Sequence, residues 1–339
     1  MKDNLENQTI LVTGGAGFIG SALVRKLLEE NANVIVFDNM LIGDESNLDE
    51  VKSKIKIIKG DIRDSNFANI LIDNDVGYVF HLAAEPYIPH CYQRPKEFID
   101  VNFMGSFNVF DACKKARVKR CLQYSTSEVY GTARQTPMDE FHITNPLSTY
   151  AVSKLAADRL AYTLHHEQRI PIVILRQFNC FGERETQPYV IPEMISQLTR
   201  GNKVILGNIH ARRDFTFVDD AAIAAFELIK YEEAEGQVFN SGSGKDWSIE
   251  ELAHLIGELC GHDKITIEID QKRLRPLDVE ALRCNYFKLN QLTGWKPQID
   301  IKEGLKRTIE WFVKHQKKWI WEKRFPLERV WGKPIYEES

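Results

Sequence analysis

Short apolar runs alternate with helical patterns through the first half of the chain. Thr9–Thr13 and Tyr78–Leu82 are runs of the kind that form buried strands, and apolar residues recur at helical spacing across Phe18–Glu30. Further strands are predicted at Asn33–Phe37, Ile55–Ile58, Cys121–Ser125 and Ile172–Leu175. Strands that alternate with helices predict an α/β fold, in which a doubly wound parallel sheet is covered on both faces.

The second half of the chain is less regular, because prolines and glycines interrupt it. Asp214–Lys230 predicts a short strand that leads into a helix, and Gln237–Ser241 predicts a strand that returns to the main sheet. Ser248–Cys260 predicts an amphipathic helix. Its first residues, Ser248 and Glu251, have the spacing of a capping box, in which each side chain binds the other residue's backbone N–H.

These elements predict two lobes around a cleft. The larger lobe covers residues 1–178, with returns near 214–241, and the smaller C-terminal α/β lobe covers 179–213 and 242–315. An aromatic tail follows at 316–339. The aromatic residues in and just before it are Trp311, Phe312, Trp319, Trp321, Phe325, Trp331 and Tyr336. We expect a terminal helix that packs its aromatic face on the smaller lobe; a contact between subunits is the alternative.

Composition excludes several classes of protein. The formal net charge is −4, and no long basic block is present, so we expect no nucleic-acid partner. No run of roughly 18 apolar residues could span a bilayer, and the polar N-terminus does not resemble a signal peptide. We therefore expect a cytoplasmic protein with no membrane partner. The six cysteines include no C-x-x-C pair, so we expect no metal site.

A glycine-rich loop follows the first predicted strand. In TGGAGFIGS, Gly14 permits a tight turn, Gly17 lets the backbone approach a pyrophosphate, and Gly20 lets the helix lie close to the strand. Asp38 ends the second strand, where a carboxylate binds a ribose diol and repels a 2′-phosphate; Asn39 follows it. The larger lobe is therefore predicted to be a Rossmann-type domain that binds NAD. Further cofactor contacts are predicted at Phe18, Ile19, Asp61, Ile62, Leu82, Ala83 and Ala84.

A second set of residues can carry acid–base chemistry. Tyr150 and Lys154 share one face of a predicted helix, and a buried ammonium there is expected to lower the pKa of the phenol. A phenolate can take a proton from an alcohol while its carbon is oxidised. Thr126, Ser127 and Glu128 follow another strand, where a carboxylate could take a proton from a carbon next to a ketone.

TGGAGFIG, Asp38, GDI, HLAAE, STSEVYG and YAVSK together resemble the extended short-chain dehydrogenase/reductase family. More narrowly, the chain resembles the NAD-dependent sugar-nucleotide epimerases and dehydratases, from about Thr9 to about Phe312. The resemblance implies that Tyr150 is the base and that Lys154 binds the nicotinamide ribose. It also implies contacts to a nucleotide-diphosphate sugar, with Glu85 in a supporting role. The implied substrate-binding residues are Glu85, Asn179, Arg213 and Arg275.

Glu128 selects among the reactions of this family. The 4-epimerases need no carboxylate there, whereas 4,6-dehydratases use one. We therefore expect a dehydratase that oxidises C4, loses water across C5 and C6 and returns hydride to C6. Ser127 replaces the Asp of thymidine-linked dehydratases, which leaves Glu128, Tyr150 or water as the proton donor. UDP-glucuronate decarboxylases also have Ser-Glu, but with Arg after the proline that is Pro146 here. A 4-epimerase or such a decarboxylase is the alternative, and a non-catalytic NAD sensor is a remote one.

Two positions depart from the pattern of the family, and two helices predict assembly. Gln177 and Leu277 stand where the family often has Pro and Gly, and both are expected near the substrate. The amphipathic segments Phe98–Ala116 and Tyr150–Glu167 could pair with their copies as a four-helix bundle. We therefore expect a homodimer.

Overall fold

The computed structural model describes residues 2–316 and 318–324. The strands, β1 to β12 in chain order, are Thr9–Thr13, Asn33–Asp38, Lys56–Lys59, Tyr78–His81, Arg120–Thr126, Ile172–Gln177, Asn179–Phe181, Lys203–Leu206, Arg212–Phe217, Val238–Ser241, Asp246–Ser248 and Thr266–Ile269. The α-helices, α1 to α12, are Phe18–Glu29, Phe67–Asp73, Ile88–Cys91, Pro95–Phe98, Ser106–Ala116, Thr149–Gln168, Val190–Leu198, Val218–Ile229, Ile249–Leu259, Phe287–Thr293, Ile301–Lys314 and Ile320–Arg324.

Seven described strands form one parallel sheet in the order β10-β6-β5-β4-β1-β2-β3. Its central strands are buried along their whole length, since helices cover both faces. The order reverses between β1 and β4, which opens a crevice at the carboxyl ends of the strands. The predicted doubly wound α/β fold is confirmed, and Gln237–Ser241 does return to the main sheet, as β10.

The later strands form two smaller sheets, β11-β9-β7 and β12-β8. The segment that begins near Asp214 was predicted to return to the larger lobe, and its strand and its helix lie in different places. Its strand, β9, pairs with β7 and β11 outside the main sheet, whereas its helix, α8, packs on α1 in the main core. Helix α9 begins with the predicted capping box of Ser248 and Glu251. No helix among residues 2–316 and 318–324 is long and apolar enough to cross a bilayer.

The segment predicted as one helix over Phe98–Ala116 is not uniform. Ile99–Gly105, between α4 and α5, is a π-helix, and such wider turns occur often at functional sites. Near the C-terminus, Trp319 and Trp321 are buried, and the Trp319 ring stacks on Phe312 with centroids 4.9 Å apart. This part of the tail packs as expected. The predicted tail residues Phe325, Trp331 and Tyr336 lie outside the described residues.

Candidate active site

A cavity of about 840 Å³ lies at the carboxyl ends of the main strands and extends to residues of β7, β8 and β9 in the two smaller sheets. Every residue predicted from the sequence to bind cofactor or substrate, or to act in catalysis, lines it. These residues are Gly14, Gly17, Phe18, Ile19, Gly20, Asp38, Asn39, Asp61, Ile62, Leu82, Ala83, Ala84, Glu85, Thr126, Ser127, Glu128, Tyr150, Lys154, Asn179, Arg213 and Arg275. Their chemical roles remain predictions.

The glycine loop can accept no side chains at two of its positions. Gly14 has φ +70°, and a Cβ there would lie 2.8 Å from the backbone nitrogen of Ala83. A Cβ on Gly20 would lie 2.1 Å from the Gly14 carbonyl oxygen. Helix α1 begins after Gly17, and no side chain caps its first N–H groups. The loop therefore leaves an open cradle at a helix N-terminus, which suits a pyrophosphate.

Asp38 lies at the end of β2, where its carboxylate is held by backbone groups. Oδ2 accepts a hydrogen bond from the Ala16 N–H at 3.0 Å, and Oδ1 accepts one from the Met40 N–H at 2.9 Å. Gly43, which the sequence analysis missed, makes room for this group, because a Cβ there would lie 2.8 Å from Oδ2. A carboxylate fixed here suits a ribose diol. The cradle and this acid together fit NAD.

Asp61 and Asn39 form the far wall of this half of the cavity. Arg63, also missed from the sequence, donates two hydrogen bonds of 2.8 Å to the Asp61 carboxylate. Asn39 Nδ2 donates another at 3.2 Å. The side-chain bonds from Arg63 are the main cause that lowers the pKa of Asp61 to about 2. Asp61 is therefore ionised at neutral pH and can accept hydrogen bonds from an adenine amino group.

Tyr150 and Lys154 both lie on α6 and are both deeply buried. Burial lowers the pKa of Lys154 to about 8, against the charge of Asp158. The Lys154 ammonium donates to the Tyr124 carbonyl at 2.5 Å. Burial raises the pKa of Tyr150, its hydrogen bond with Thr126 opposes that rise, and the charge of Glu128 adds to it. The pKa of Tyr150 is therefore raised rather than lowered as predicted, because burial outweighs the effect that lowers it.

Glu128 lies on the short 3₁₀ turn Ser127–Tyr130, directly after β5. Its backbone N–H donates to the Thr126 hydroxyl at 3.2 Å, and its side chain is buried in the cavity wall. Two guanidinium groups face it. Burial lowers the pKa of Arg213, and it opposes the rise in the pKa of Arg275. In both cases Glu128 is the neighbouring charge with the largest effect, and it raises the pKa of the arginine. The carboxylate thus lies in a positive field.

One carboxylate sets the positions of both arginines. Asp278 Oδ1 accepts a hydrogen bond from Arg213 Nη2 at 3.2 Å, and lies 3.8 Å from Arg275 Nη1. Asn208 donates to its other oxygen at 3.0 Å. Paired guanidinium groups at a fixed spacing suit the oxygens of a diphosphate. The amide oxygen of Asn179, also on this side of the cavity, is buried without a partner among the described residues.

Two tyrosines that were not predicted from the sequence join the segment after β4 to the segment before α7, and both line the cavity. The Tyr87 hydroxyl donates to the Pro188 carbonyl at 3.4 Å, and the Tyr189 hydroxyl donates to the Pro86 carbonyl at 3.2 Å. Their rings also meet edge to face, with centroids 5.6 Å apart. The only local signal was an aromatic residue beside a proline in each segment, so pattern alone could not pair them.

The two departures from the family pattern lie in different surroundings. Gln177 is buried in the cavity wall, and its Nε2 donates to the carbonyl oxygens of Phe178 and Ser241. Leu277 is 61% exposed and does not line the cavity. Of the two, only Gln177 therefore lines the cavity in which the substrate is expected.

Residues 11–308 match the family model of GDP-mannose 4,6-dehydratase. The chain is 33% identical over 307 residues to the putative UDP-glucose 4-epimerase of Methanocaldococcus jannaschii, covering 89% of this chain and 97% of that protein. It is 32% identical over 321 residues to the dTDP-D-glucose 4,6-dehydratase of Homo sapiens, covering 91% of each. It is also 32% identical over 317 residues to the UDP-N-acetyl-alpha-D-glucosaminuronate decarboxylase of Bacillus cytotoxicus, covering 89% of this chain and 97% of that protein.

The solved structures of a dehydratase and of an epimerase resemble the fold of this chain about equally well. The dTDP-glucose 4,6-dehydratase from Streptomyces venezuelae, crystallised with NAD, superposes with a TM-score of 0.85 at 27% identity, covering 92% of this chain and 99% of that one. The UDP-glucose 4-epimerase of Thermotoga maritima, with UDP-glucose, gives 0.84 at 30% identity, covering 91% of this chain and all of that one.

Proposed function

Because the chain belongs to the GDP-mannose 4,6-dehydratase family of extended short-chain dehydrogenases/reductases, we propose that it is an NAD-dependent nucleotide-diphosphate-sugar 4,6-dehydratase. The resemblance drawn from the motifs is confirmed by this membership. The relatives at 32 and 33% identity include a dehydratase, an epimerase and a decarboxylase. The choice among these reactions therefore depends on the residues of the cavity.

The half of the cavity next to β1 and β2 is proposed to hold NAD. The pyrophosphate would lie against Gly17 and the uncapped start of α1, and Asp38 would bind the adenosine ribose. Lys154 would bind the nicotinamide ribose. NAD⁺ bound here would supply the acceptor for the hydride that leaves C4 and the donor for the hydride that reaches C6, and the positive charge of its ring would favour the phenolate form of Tyr150.

The sugar is proposed to lie between Tyr150 and Glu128. Tyr150, already hydrogen-bonded to Thr126, takes the proton of the C4 hydroxyl, and Thr126 orients that hydroxyl. The new carbonyl at C4 makes the C5 proton acidic. Arg213 and Arg275 bind the diphosphate, and so fix the distance from the phosphates to the sugar ring.

The observation that carries this proposal is the position of Glu128. Glu128 is only 8% exposed, it lines the same cavity as Tyr150, and it lies on a short 3₁₀ turn that the Thr126 hydroxyl caps. A carboxylate in the field of Arg213 and Arg275 is suited to remove the C5 proton as a base. Epimerisation at C4 uses no such base.

The test is incubation of the purified protein with UDP-glucose, UDP-N-acetylglucosamine, dTDP-glucose and GDP-mannose, followed by mass spectrometry. A product lighter by one water molecule supports the proposal. Unchanged mass with altered chromatography would instead identify an epimerase. UDP-glucuronate, included in the same panel, would lose carbon dioxide if the protein were a decarboxylase. The Tyr150→Phe variant is the control, and it should form none of these products.

We also propose that the protein is a homodimer. Four large apolar side chains on the π-helix, α5 and α6 are exposed: Met104, Phe107, Val152 and Tyr162 are between 40% and 50% exposed. These are the helices that the sequence predicts to pair. Water contact of so many large apolar groups on neighbouring helices is typical of a surface that another subunit covers.

A further inference from the structure

Loss of water from C6 needs a proton for the departing hydroxyl, and Ser127 cannot supply it, because a serine hydroxyl is too weak an acid. Tyr150 is already assigned to the C4 hydroxyl and Glu128 to the C5 proton. Besides Asp38 at the glycine loop, three other carboxyl groups, those of Glu85, Glu185 and Glu193, are buried in the cavity wall. Glu193 is held in an ion pair with Arg273 at 2.9 Å, so Glu85 and Glu185 are left as candidates. One of them can fill the vacant role.

Glu185 is turned back onto its own loop. Its Oε1 accepts a hydrogen bond from the Thr186 N–H at 3.2 Å. Glu85 differs, since its carboxyl makes no hydrogen bond within the part of the chain that the structure describes, although the side chain is only 7% exposed. Burial raises the pKa of Glu85 to about 7, against the charge of Arg94, and the charge of Glu97 adds to the rise. A buried carboxyl that faces a cavity and is still partly protonated at neutral pH can donate a proton.

Hydrogen bonds through Asn102 connect the backbone of Glu85 to helix α6, which carries Tyr150. The Glu85 N–H donates to Asn102 Oδ1 at 2.7 Å, and Asn102 Nδ2 donates to the Glu85 carbonyl at 3.0 Å. The same Nδ2 donates to the Ser153 hydroxyl at 3.0 Å, and that hydroxyl donates to the Tyr150 carbonyl at 2.7 Å. Asn102 lies on the π-helix Ile99–Gly105, whose wider turn carries this side chain.

Tyr189 lies close enough to both Glu85 and Tyr150 for the charge of each to affect its pKa. Burial raises the pKa of Tyr189, and the charges of Glu185, Tyr150, Tyr87 and Glu85 add to that rise. Tyr189 is thus an electrostatic neighbour of both groups between which a proton has to pass.

We propose that Glu85 is the general acid that protonates the C6 hydroxyl as it leaves. The inference depends on the proposed dehydration. Glu128 takes the C5 proton, the C6–O bond breaks, and the departing oxygen takes the proton of Glu85 and leaves as water. The electron pair and hydrogen removed from C4 return to C6, and Glu128 returns its proton to C5. Tyr150 then passes the proton of the C4 hydroxyl to Glu85, which restores both groups.

The test compares two leaving groups in the wild type and in Glu85→Gln. The probes are whichever nucleotide sugar of the panel the wild type dehydrates, and its 6-deoxy-6-fluoro analogue. Fluoride leaves without a proton donor. Glu85→Gln should therefore turn over the hydroxyl substrate roughly 100-fold or more slowly, which is the usual contribution of a general acid, and the fluoro analogue at about the wild-type rate.

Exchange in deuterated water gives a second readout. In Glu85→Gln, oxidation at C4 and removal of the C5 proton continue, so recovered hydroxyl substrate should carry deuterium at C5. The matched control is Glu185→Gln, which replaces another carboxyl buried in the cavity wall and should leave the ratio of the two leaving-group rates as in the wild type. Glu85→Asp, which retains an acid on a shorter chain, should recover part of the rate with the hydroxyl substrate.

Three results would overturn the inference. Equal slowing of Glu85→Gln on both leaving groups would mean that Glu85 only binds or supports the site. Wild-type rates on both would mean that another group is the acid. A wild type that removes water from no nucleotide sugar would refute the dehydratase proposal itself, and it is recognised from the wild type alone.

Discussion

Asp158 is a fully buried carboxylate on α6, four residues after Lys154. Its Oδ2 accepts hydrogen bonds of 2.9 Å from Arg176 Nε and from the Ser125 hydroxyl. Its Oδ1 accepts from Arg176 Nη2 at 3.1 Å and from Arg159 Nη2 at 2.6 Å. Arg176 is only 3% exposed, so its charge is balanced inside the protein rather than by water.

The substitution Asp158→Asn preserves the size of the side chain but removes its charge. Arg176 would then remain buried without an ionised partner, and breaking a buried pair from one side costs about 3–5 kcal/mol. A domain has only about 5–15 kcal/mol of unfolding free energy, so the loss should be easily measured. The pKa of Lys154, lowered by burial and held up by Asp158, should fall below about 8, so activity should decline at a lower alkaline pH than in the wild type.

Urea unfolding followed by circular dichroism measures the stability change. The matched control is Asp111→Asn on α5, which removes an ion pair of 2.6 Å with Lys115 between exposed side chains. Such a pair contributes about 0–1 kcal/mol. If Asp158→Asn cost no more than Asp111→Asn, then the buried pair would not stabilise this fold and the reasoning would be refuted.

Four further predictions concern the site and the assembly. Gly20→Ala should abolish copurification of NAD, because its Cβ would lie 2.1 Å from a carbonyl oxygen, whereas Gly201→Ala, with nothing within 4 Å of its Cβ, should retain it. Glu128→Gln should release no product yet develop the absorbance of reduced nicotinamide; full turnover would show that its assigned role is wrong. Burial raises the pKa of Glu85 from 4.5 to about 7, so the folded state favours the protonated carboxyl and is more stable at low pH. Relative to Glu85→Gln, the wild type should lose about 3 kcal/mol of unfolding free energy as the pH rises from 4.5 through 7. A difference in stability between the two proteins that does not change with pH would contradict this. Met104→Glu should yield monomers in sedimentation at micromolar concentration, and a wild type that is itself monomeric would refute the dimer.

Local patterns predicted the parts of the fold that local chemistry determines. The glycines before α1 are demanded by close backbone contacts within one strand–turn–helix unit, so the loop was identified from its letters alone. The capping box at Ser248 is likewise complete within four consecutive residues. The buried strands of the main sheet were found because parallel strands covered on both faces are continuously apolar.

Features that depend on distant contacts could not be predicted in this way. The strand β9 was expected near the main sheet, but it pairs with β7 and β11, which lie far from it in sequence. The residues of Arg212–Phe217 carry no local signal that indicates these partners. The helical period continues through Ile99–Gly105, so it gives no sign of the wider π turn.

Tyr150 and Lys154 show the same limit at the scale of one bond. The spacing of Tyr150 and Lys154 places them on one helix face, but it does not indicate that the ammonium binds the Tyr124 carbonyl. The pKa of Tyr150 is raised mainly by burial, which is a property of the tertiary structure and not of the motif.

Residues 319–322 near the C-terminus are bound to helix α7. The indole N–H of Trp319 donates to the Pro192 carbonyl at 3.0 Å, and Glu322 accepts a hydrogen bond from the Ser196 hydroxyl at 2.5 Å. Pro192 and Glu193 on α7 also line the cavity. Trp319 and Glu322 do not line the cavity themselves, so we expect a substitution at either residue to change the shape of the cavity indirectly, by moving α7.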